Sequence, residues 1–257
     1  MFRWRFCGSR GWLVAVLDTE GDVEVWVTAF LDTPGRDAAV AEEFWLAVTG
    51  GSLSPRRGGF ATVLPAGGGD AYLRVQVVGD DGPARAHLDL HVAQVAQVRE
   101  RAVGLGATAL AAPVLRSPGG LVFCLVQWHG ERSRPAPVRW PGGQRSFVDQ
   151  ICLDVPAAVF EAEADFWAAL TGWPRRSVGE SEFEALVRPA GQPLRLLLQR
   201  IGSAVGGMHL DLACDGVDRE VARHLALGAR HVRDGRGWVT LRDPAGRDYC
   251  VTGRGVE

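Results

Sequence analysis

From Val23 to Asp32 the chain alternates apolar and polar positions, the period-two signature of a half-buried strand. Thr33-Pro34 then reads as a helix start, with Thr as N-cap and Pro at the first helical position. Val40, Phe44 and Val48 fall at i, i+4 and i+8 on one helix face, and Gly50 ends that helix. Short strands are predicted over 52–56, 60–64 and 71–78. A second run begins with a strand at His87–Val92. Val95, Val98, Ala102 and Leu105 mark a helix face closed by Gly106, and strands follow near 107–115 and 121–127. The pattern is strand, helix and three short strands, given twice.

The second half repeats it, with helices predicted near 158–171 and 216–227. Leu31-Asp32-Thr33-Pro34 matches Leu153-Asp154-Val155-Pro156, Phe44-Trp45 matches Phe166-Trp167, and Thr49-Gly50 matches Thr171-Gly172. His87-Leu88-Asp89-Leu90 matches His209-Leu210-Asp211-Leu212, and Gly106-Ala107 matches Gly228-Ala229, all at the offset that carries 87 to 209. Leu115-Arg116-Ser117-Pro118 matches Leu241-Arg242-Asp243-Pro244 and Cys124 matches Cys250, at the slightly larger offset left by a loop insertion. A fixed offset held in order over this length is an internal duplication. The chain divides into an arm (1–22), a first domain (23–127), a linker (128–145) made semi-rigid by Pro135, Pro137, Pro141 and Gly142-Gly143, and a second domain (146–257). The fold class is α+β: two tandem domains, each of two βαβββ units.

Composition narrows the partners. Hydrophobic content of 47% and charged content of 23% are ordinary for globular chains. A net charge of −2 leaves no electrostatic footprint for nucleic acid. Arg3, Arg5 and Arg10, interleaved with Phe2, Trp4 and Phe6, form a weak patch, and the arm is read as a tail or an extra strand. No apolar run reaches the ~18 residues of a membrane span. Trp12–Leu17 is too short and lacks a cleavage site, so no signal peptide is read there. Cys7, Cys124, Cys152, Cys214 and Cys250 contain no close-spaced pair and are read as reduced thiols of a cytoplasmic protein.

Phe-Trp ahead of a helix-ending Gly, His-Leu-Asp-Leu, Leu-Gly-Ala and Asp-Pro-Ala-Gly-Arg-Asp together resemble the landmarks of one superfamily. It is the glyoxalase/bleomycin-resistance/extradiol-dioxygenase superfamily, the vicinal oxygen chelate fold, and the resemblance covers about 23–127 and 146–252. It implies that the paired units of each domain curl into an open groove and that the two domains pack together, with a homodimer left open. Metal-dependent members place ligands on the first and last strands of each unit. Those positions fall on Thr28, Gln76, His87 and Cys124 in the first domain, and on Gln150, Gln199, His209 and Cys250 in the second. A one-residue slip at Gln76 or Gln199 would turn either to the other face. Neither a three-ligand zinc set nor a two-His, one-carboxylate iron set is complete. No metal ligand is therefore assigned and no cofactor is expected, a divalent ion being the lesser alternative.

His87 and Asp89 project from one strand face, as do His209 and Asp211, with His91 beside the first pair and Ala213 beside the second. Such a pair offers a general base tuned by a carboxylate, an unusual ligand set, or an Asp that merely holds a structural His. His87, Asp89, His209 and Asp211 are the catalytic candidates. Thr28, Gln76, Cys124, Gln150, Gln199, Cys250 and Trp238 are the ligand-binding ones. Trp45 and Trp167 are assigned to the core, Arg56-Arg57 and Arg175-Arg176 to solvated strand edges, and His129, His224 and His231 to surface or loops. There is no Gly-x-Ser-x-Gly elbow, and Gly67-Gly68-Gly69 precedes a strand and reads as a turn. Three functions stay open: a small-molecule binder of the bleomycin-resistance kind, a lyase, isomerase or dioxygenase built on the His-x-Asp pair, and a non-catalytic interaction module.

Overall fold

A computed structural model describes residues 24–256, preceded by the backbone of two antiparallel strands, Arg3–Phe6 and Leu13–Val16. The other expectations for the arm, and Cys7, lie outside the described residues. The first sheet runs in the order Ser52–Leu53, Phe60–Leu64, Leu73–Val78, Val25–Pro34, Arg85–Val92, Val122–Gln127, Val114–Arg116, Thr108–Ala109. Its two units meet where Val25–Pro34 and Arg85–Val92 pair antiparallel, and within each unit the first and last strands are parallel. The second sheet keeps that order, from Arg175–Ser177 through the central pair Arg145–Pro156 and Gly207–Cys214 to Arg230–Asp234. Val138–Arg139, within the segment read as linker, adds a short strand to Arg145–Pro156.

Among the described residues four α-helices accompany the sheets: α1 (Ala38–Thr49), α2 (Val95–Gly104), α3 (Phe160–Thr171) and α4 (Val217–Ala226). Gly50 and Gly172, at φ 64° and 76°, end α1 and α3 in the left-handed conformation that favours glycine. The start of α1 differs from expectation. The chain stays extended through Pro34 and takes a 3-10 turn at Gly35–Asp37, and Thr33 caps nothing. Its hydroxyl instead accepts a hydrogen bond from Arg247 of the second domain at 2.9 Å.

Strand alternation sends His87, Asp89 and His91 to one face and Leu88, Leu90 and Val92 to the other. The apolar faces and the helices form one core that runs through both domains. Phe44 and Trp45 of α1 pack on Tyr249, with ring centroids 5.9 and 5.2 Å away, and Phe166 and Trp167 of α3 pack on Phe123 at 5.9 and 5.0 Å. Arg223 of α4 donates to the Ala47 and Val48 carbonyls at the end of α1, and Arg101 of α2 donates to the Ala169 carbonyl near the end of α3. Each cation complements the negative pole of the other domain's helix. His224 is not a surface residue, as its sequence context suggested. It is fully buried between Tyr249 (3.0 Å) and Glu220 (3.2 Å), edge-on to Phe44 of the other domain, and burial lowers its pKa. Trp45 and Trp167 are core, as expected. No helix of the described residues is long and apolar enough to cross a membrane.

Candidate functional site

In the second domain the concave face of the sheet forms a groove of about 240 Å³. Its central strand supplies Gln150 and Cys152, the neighbouring Arg195–Ile201 supplies Arg195, Leu197 and Gln199, and Gly207–Cys214 supplies His209 and Asp211. Cys250 and Trp238 come from the last two strands in sequence, Asp248–Thr252 and Trp238–Arg242. All six residues expected on this side from the sequence, His209, Asp211, Gln150, Gln199, Cys250 and Trp238, line it. Gln199 pairs with Asp154 and Phe183 in the register that keeps it on the groove face.

At the centre lies His209. Its Nδ1 donates to Asp154 at 3.1 Å, and its Nε2 lies 3.3 Å from Asp211 Oδ1. Gln150 Nε2 donates to the other Asp211 oxygen. Burial works against charge on the His209 ring, yet the carboxylates of Asp211 and Asp154 outweigh it and hold its pKa well above the ordinary range. Burial pushes the Cys152 thiol up to about 12 and raises Cys250 as well, so both are protonated near neutrality. The buried acceptor Gln150 Oε1 makes no hydrogen bond among the described residues. The walls are apolar: Trp238 stands edge-on to Phe183, centroids 5.8 Å apart, near Leu197 and Val178. Arg195, Arg236 and Arg254 also line the groove.

The first domain repeats the centre. His87 Nδ1 lies 2.8 Å from Asp32 and its Nε2 3.5 Å from Asp89. Cys124 stands opposite Asp89, and Gln76 opposite Asp32. Burial opposes the charge, but hydrogen bonds to Asp32, Asp89 and Cys124 push His87 up to about 11. Here the space is taken. Phe30 stacks on His87 at 4.5 Å, Phe60 meets Phe30 edge-on at 6.0 Å, and the Arg74 guanidinium lies over both rings and 3.8 Å from Asp89. By register, Phe30 corresponds to Cys152 and Arg74 to Leu197. Thr28 is engaged by His91 Nε2 at 3.0 Å, and the far side of His91 faces Glu131 at 3.2 Å.

Sequence reasoning missed Asp32 and Asp154, although both stand in the repeated Leu-Asp motif; that repetition was the available signal. It also missed Cys152 and the groove arginines.

His209, Asp211 and Cys250 offer donor atoms within 4.8 Å of one another. Nitrogen, oxygen and sulfur donors suit zinc or iron better than magnesium or calcium. Asp154 at Nδ1 sits where an outer carboxylate orients a ligand His, and Asp211 Oδ1 lies 3.3 Å from the Nε2 that would bind. The residues therefore fit a divalent ion, which would have to displace the His209 proton.

The profile of the glyoxalase-like domain matches residues 28–126 and 150–252. Curated protein sequences give no match. Among solved structures, the Mn(II)-bound glyoxalase from Novosphingobium aromaticivorans superposes with TM-score 0.59 at 17% identity, over 90% of this chain and 81% of that one. A mutant of 4-hydroxymandelate synthase from Streptomyces coelicolor gives 0.55 at 17% identity, over 89% and 93%. A variant of homoprotocatechuate 2,3-dioxygenase from B. fuscum gives 0.62 at 11% identity, over 92% and 73%. At these identities the likeness is one of fold.

Proposed function

The chain belongs to the glyoxalase-like domain family, and on that premise we propose that it binds a small molecule in the groove of its second domain, while the first domain serves as scaffold. The observation that carries this reading is Arg74. In the first domain a planar N–H donor of the chain itself lies over Phe30 and beside Asp89. In the second domain Leu197 and Cys152 leave that place open, beside Asp211 and the unpaired Gln150 Oε1. A ligand hydroxyl or amine there would satisfy the buried Gln150 oxygen, which is otherwise costly to leave bare. The apolar walls, with a few convergent polar groups, are those of a small-molecule site.

The test transplants the filling. Catechol titrated into wild-type protein should give saturable quenching of tryptophan fluorescence that Trp238→Phe diminishes. The double variant Cys152→Phe/Leu197→Arg should abolish binding with its far-UV spectrum unchanged. Undiminished catechol binding by the filled variant would sink the assignment to this groove.

The grouping of His209, Asp211 and Cys250 favours a second reading, a metal-dependent lyase or dioxygenase. A bound divalent ion would polarise a substrate oxygen. Asp154 would fix the His209 ring, Gln150 and Gln199 would orient the substrate, and Trp238 and Phe183 would exclude water. Equilibrium dialysis against zinc or Fe(II) should then give one equivalent in the wild type and none in His209→Ala. No uptake by the wild type would leave the binding reading alone.

A further inference from the structure

Around the groove the charges do not balance. Arg195 is half-buried in the lining and makes no hydrogen bond or ion pair among the described residues. Its charged surroundings are Arg254, Arg176, Asp149 and Asp211. Arg254 reaches Asp149 at 2.6 Å, but its buried Nε has no partner. Arg188 spends its donors on the carbonyls of Asp149 and Pro193, and Arg134 lies over Phe147 with its own Nε unpaired. Arg134, Arg188, Arg195 and Arg254 thus gather around one carboxylate, Asp149. Burial first, and then the neighbouring guanidiniums, depress Arg188 to about 10 and lower Arg195. Half-buried cations in this excess lack a counter-charge.

The excess is specific to this domain. Register and repeat place Tyr72 where Arg195 stands, Trp128 for Arg254, Pro65 for Arg188 and Ser54 for Arg176. Asp149 has no counterpart at all: it is the extra residue of a bulge between Val148 and Gln150, and the first domain's strand runs unbroken there. A need shared by both copies of the fold would appear in both.

We propose that the second-domain groove selects a small organic anion, with a carboxylate held by Arg195 and Arg254 and a hydroxyl or amine donor held by Asp211 and Gln150. This rests on the binding reading above and adds the chemical class. Arg195 is in register with Gln150, so the cationic and the acceptor groups lie side by side across adjacent strands. A groove of about 240 Å³ has room for one ring. The guanidinium fork matches a carboxylate in two hydrogen bonds.

Calorimetric titration of the full chain with 4-hydroxybenzoate and its neutral isostere 4-hydroxybenzamide tests the class. The acid should bind at least ~10-fold tighter than the amide. Arg195→Gln should weaken the acid at least ~10-fold and the amide less than threefold, and the wild-type advantage should shrink with added salt. Equal affinities for acid and amide, or an acid preference that survives Arg195→Gln, would overturn the anion assignment while leaving small-molecule binding intact. Failure of both probes to bind would overturn it too, and the groove itself would then be judged by the catechol experiment alone.

Discussion

Phe30 and Arg74 fill in the first domain the volume that Cys152 and Leu197 leave open in the second. Around that difference the two grooves agree closely. Each holds a histidine between two carboxylates, Asp32 and Asp89 or Asp154 and Asp211, and each sets a cysteine beside the second. Since the filled groove keeps the whole arrangement, the His-x-Asp pair does not by itself mark a working site. In the first domain the space beside it is filled by Arg74, 3.8 Å from Asp89 and over the Phe30 ring. In the second no side chain takes that place, and the proposed ligand would occupy it.

The same trade between copies occurs at the domain interface, where breaking it should cost most. Trp45 Nε1 donates at 2.9 Å to Asp243, in the opposite domain's turn, which also accepts from Arg247. At the matching contact, Trp167 Nε1 donates at 2.7 Å to Glu163 of its own helix, which accepts from Ser117 and the Gly119 amide of the opposite turn. Ser117 stands where the other turn has Asp243, and Ala41 where the other helix has Glu163. Each contact keeps one buried carboxylate, on opposite partners. Asp243→Ala should cost about 3–5 kcal/mol in urea unfolding, because Arg247 is left buried and unpaired. Glu163→Ala should cost about 2–3 kcal/mol, its lost partners being neutral. Ser117→Asp added to Glu163→Ala should recover most of that loss; no recovery would show that the contacts are not interchangeable.

His87 gives the next effect. Its folded pKa, about 11, lies above the unfolded value of about 6.5. The stabilisation is therefore complete below about pH 6.5 and is lost as pH rises toward 11. Urea midpoints between pH 6 and 10.5 should fall for the wild type. In His87→Gln the fall should be shallower by up to ~1.4 kcal/mol per pH unit, one proton's worth. Parallel pH profiles would mean that His87 is not held as a cation.

The duplication is what made the fold legible. A fixed offset with period-two and helical faces in each copy places every unit, and the same alternation puts His87 with Asp89, and His209 with Asp211, on the concave face. The register carried over for Gln76 and Gln199 matches the paired strands. Which groove is open was not legible, because Phe30 and Arg74 are ordinary residues for a strand and only their neighbours across the sheet turn them into a plug. Nor was the arginine cluster, whose members come from separate strands and loops and whose counter-ion sits on a bulge that no sequence period announces. His224 misled for a similar reason: its cover, Phe44, belongs to the other domain.

The smallest expected effect separates a charge that supports the fold from one that waits for a ligand. Arg247 is buried with Asp243 at 2.7 Å and also bonds the Asp32 carbonyl and Thr33, so it holds the domains together. Arg195 has no such partner among the described residues, and of its charged neighbours Arg254 and Arg176 repel it while Asp149 and Asp211 are already engaged by Arg254 and His209. Removing a guanidinium from an unbalanced cluster relieves repulsion and breaks no hydrogen bond among the described residues. Arg195→Gln should therefore leave the urea unfolding free energy unchanged or raise it by up to ~1 kcal/mol, most visibly at low salt, where screening is weakest. A loss of more than about 1 kcal/mol would show that Arg195 belongs to the scaffold, as Arg247 does, and would remove the ground for giving the second groove a task that the first does not share.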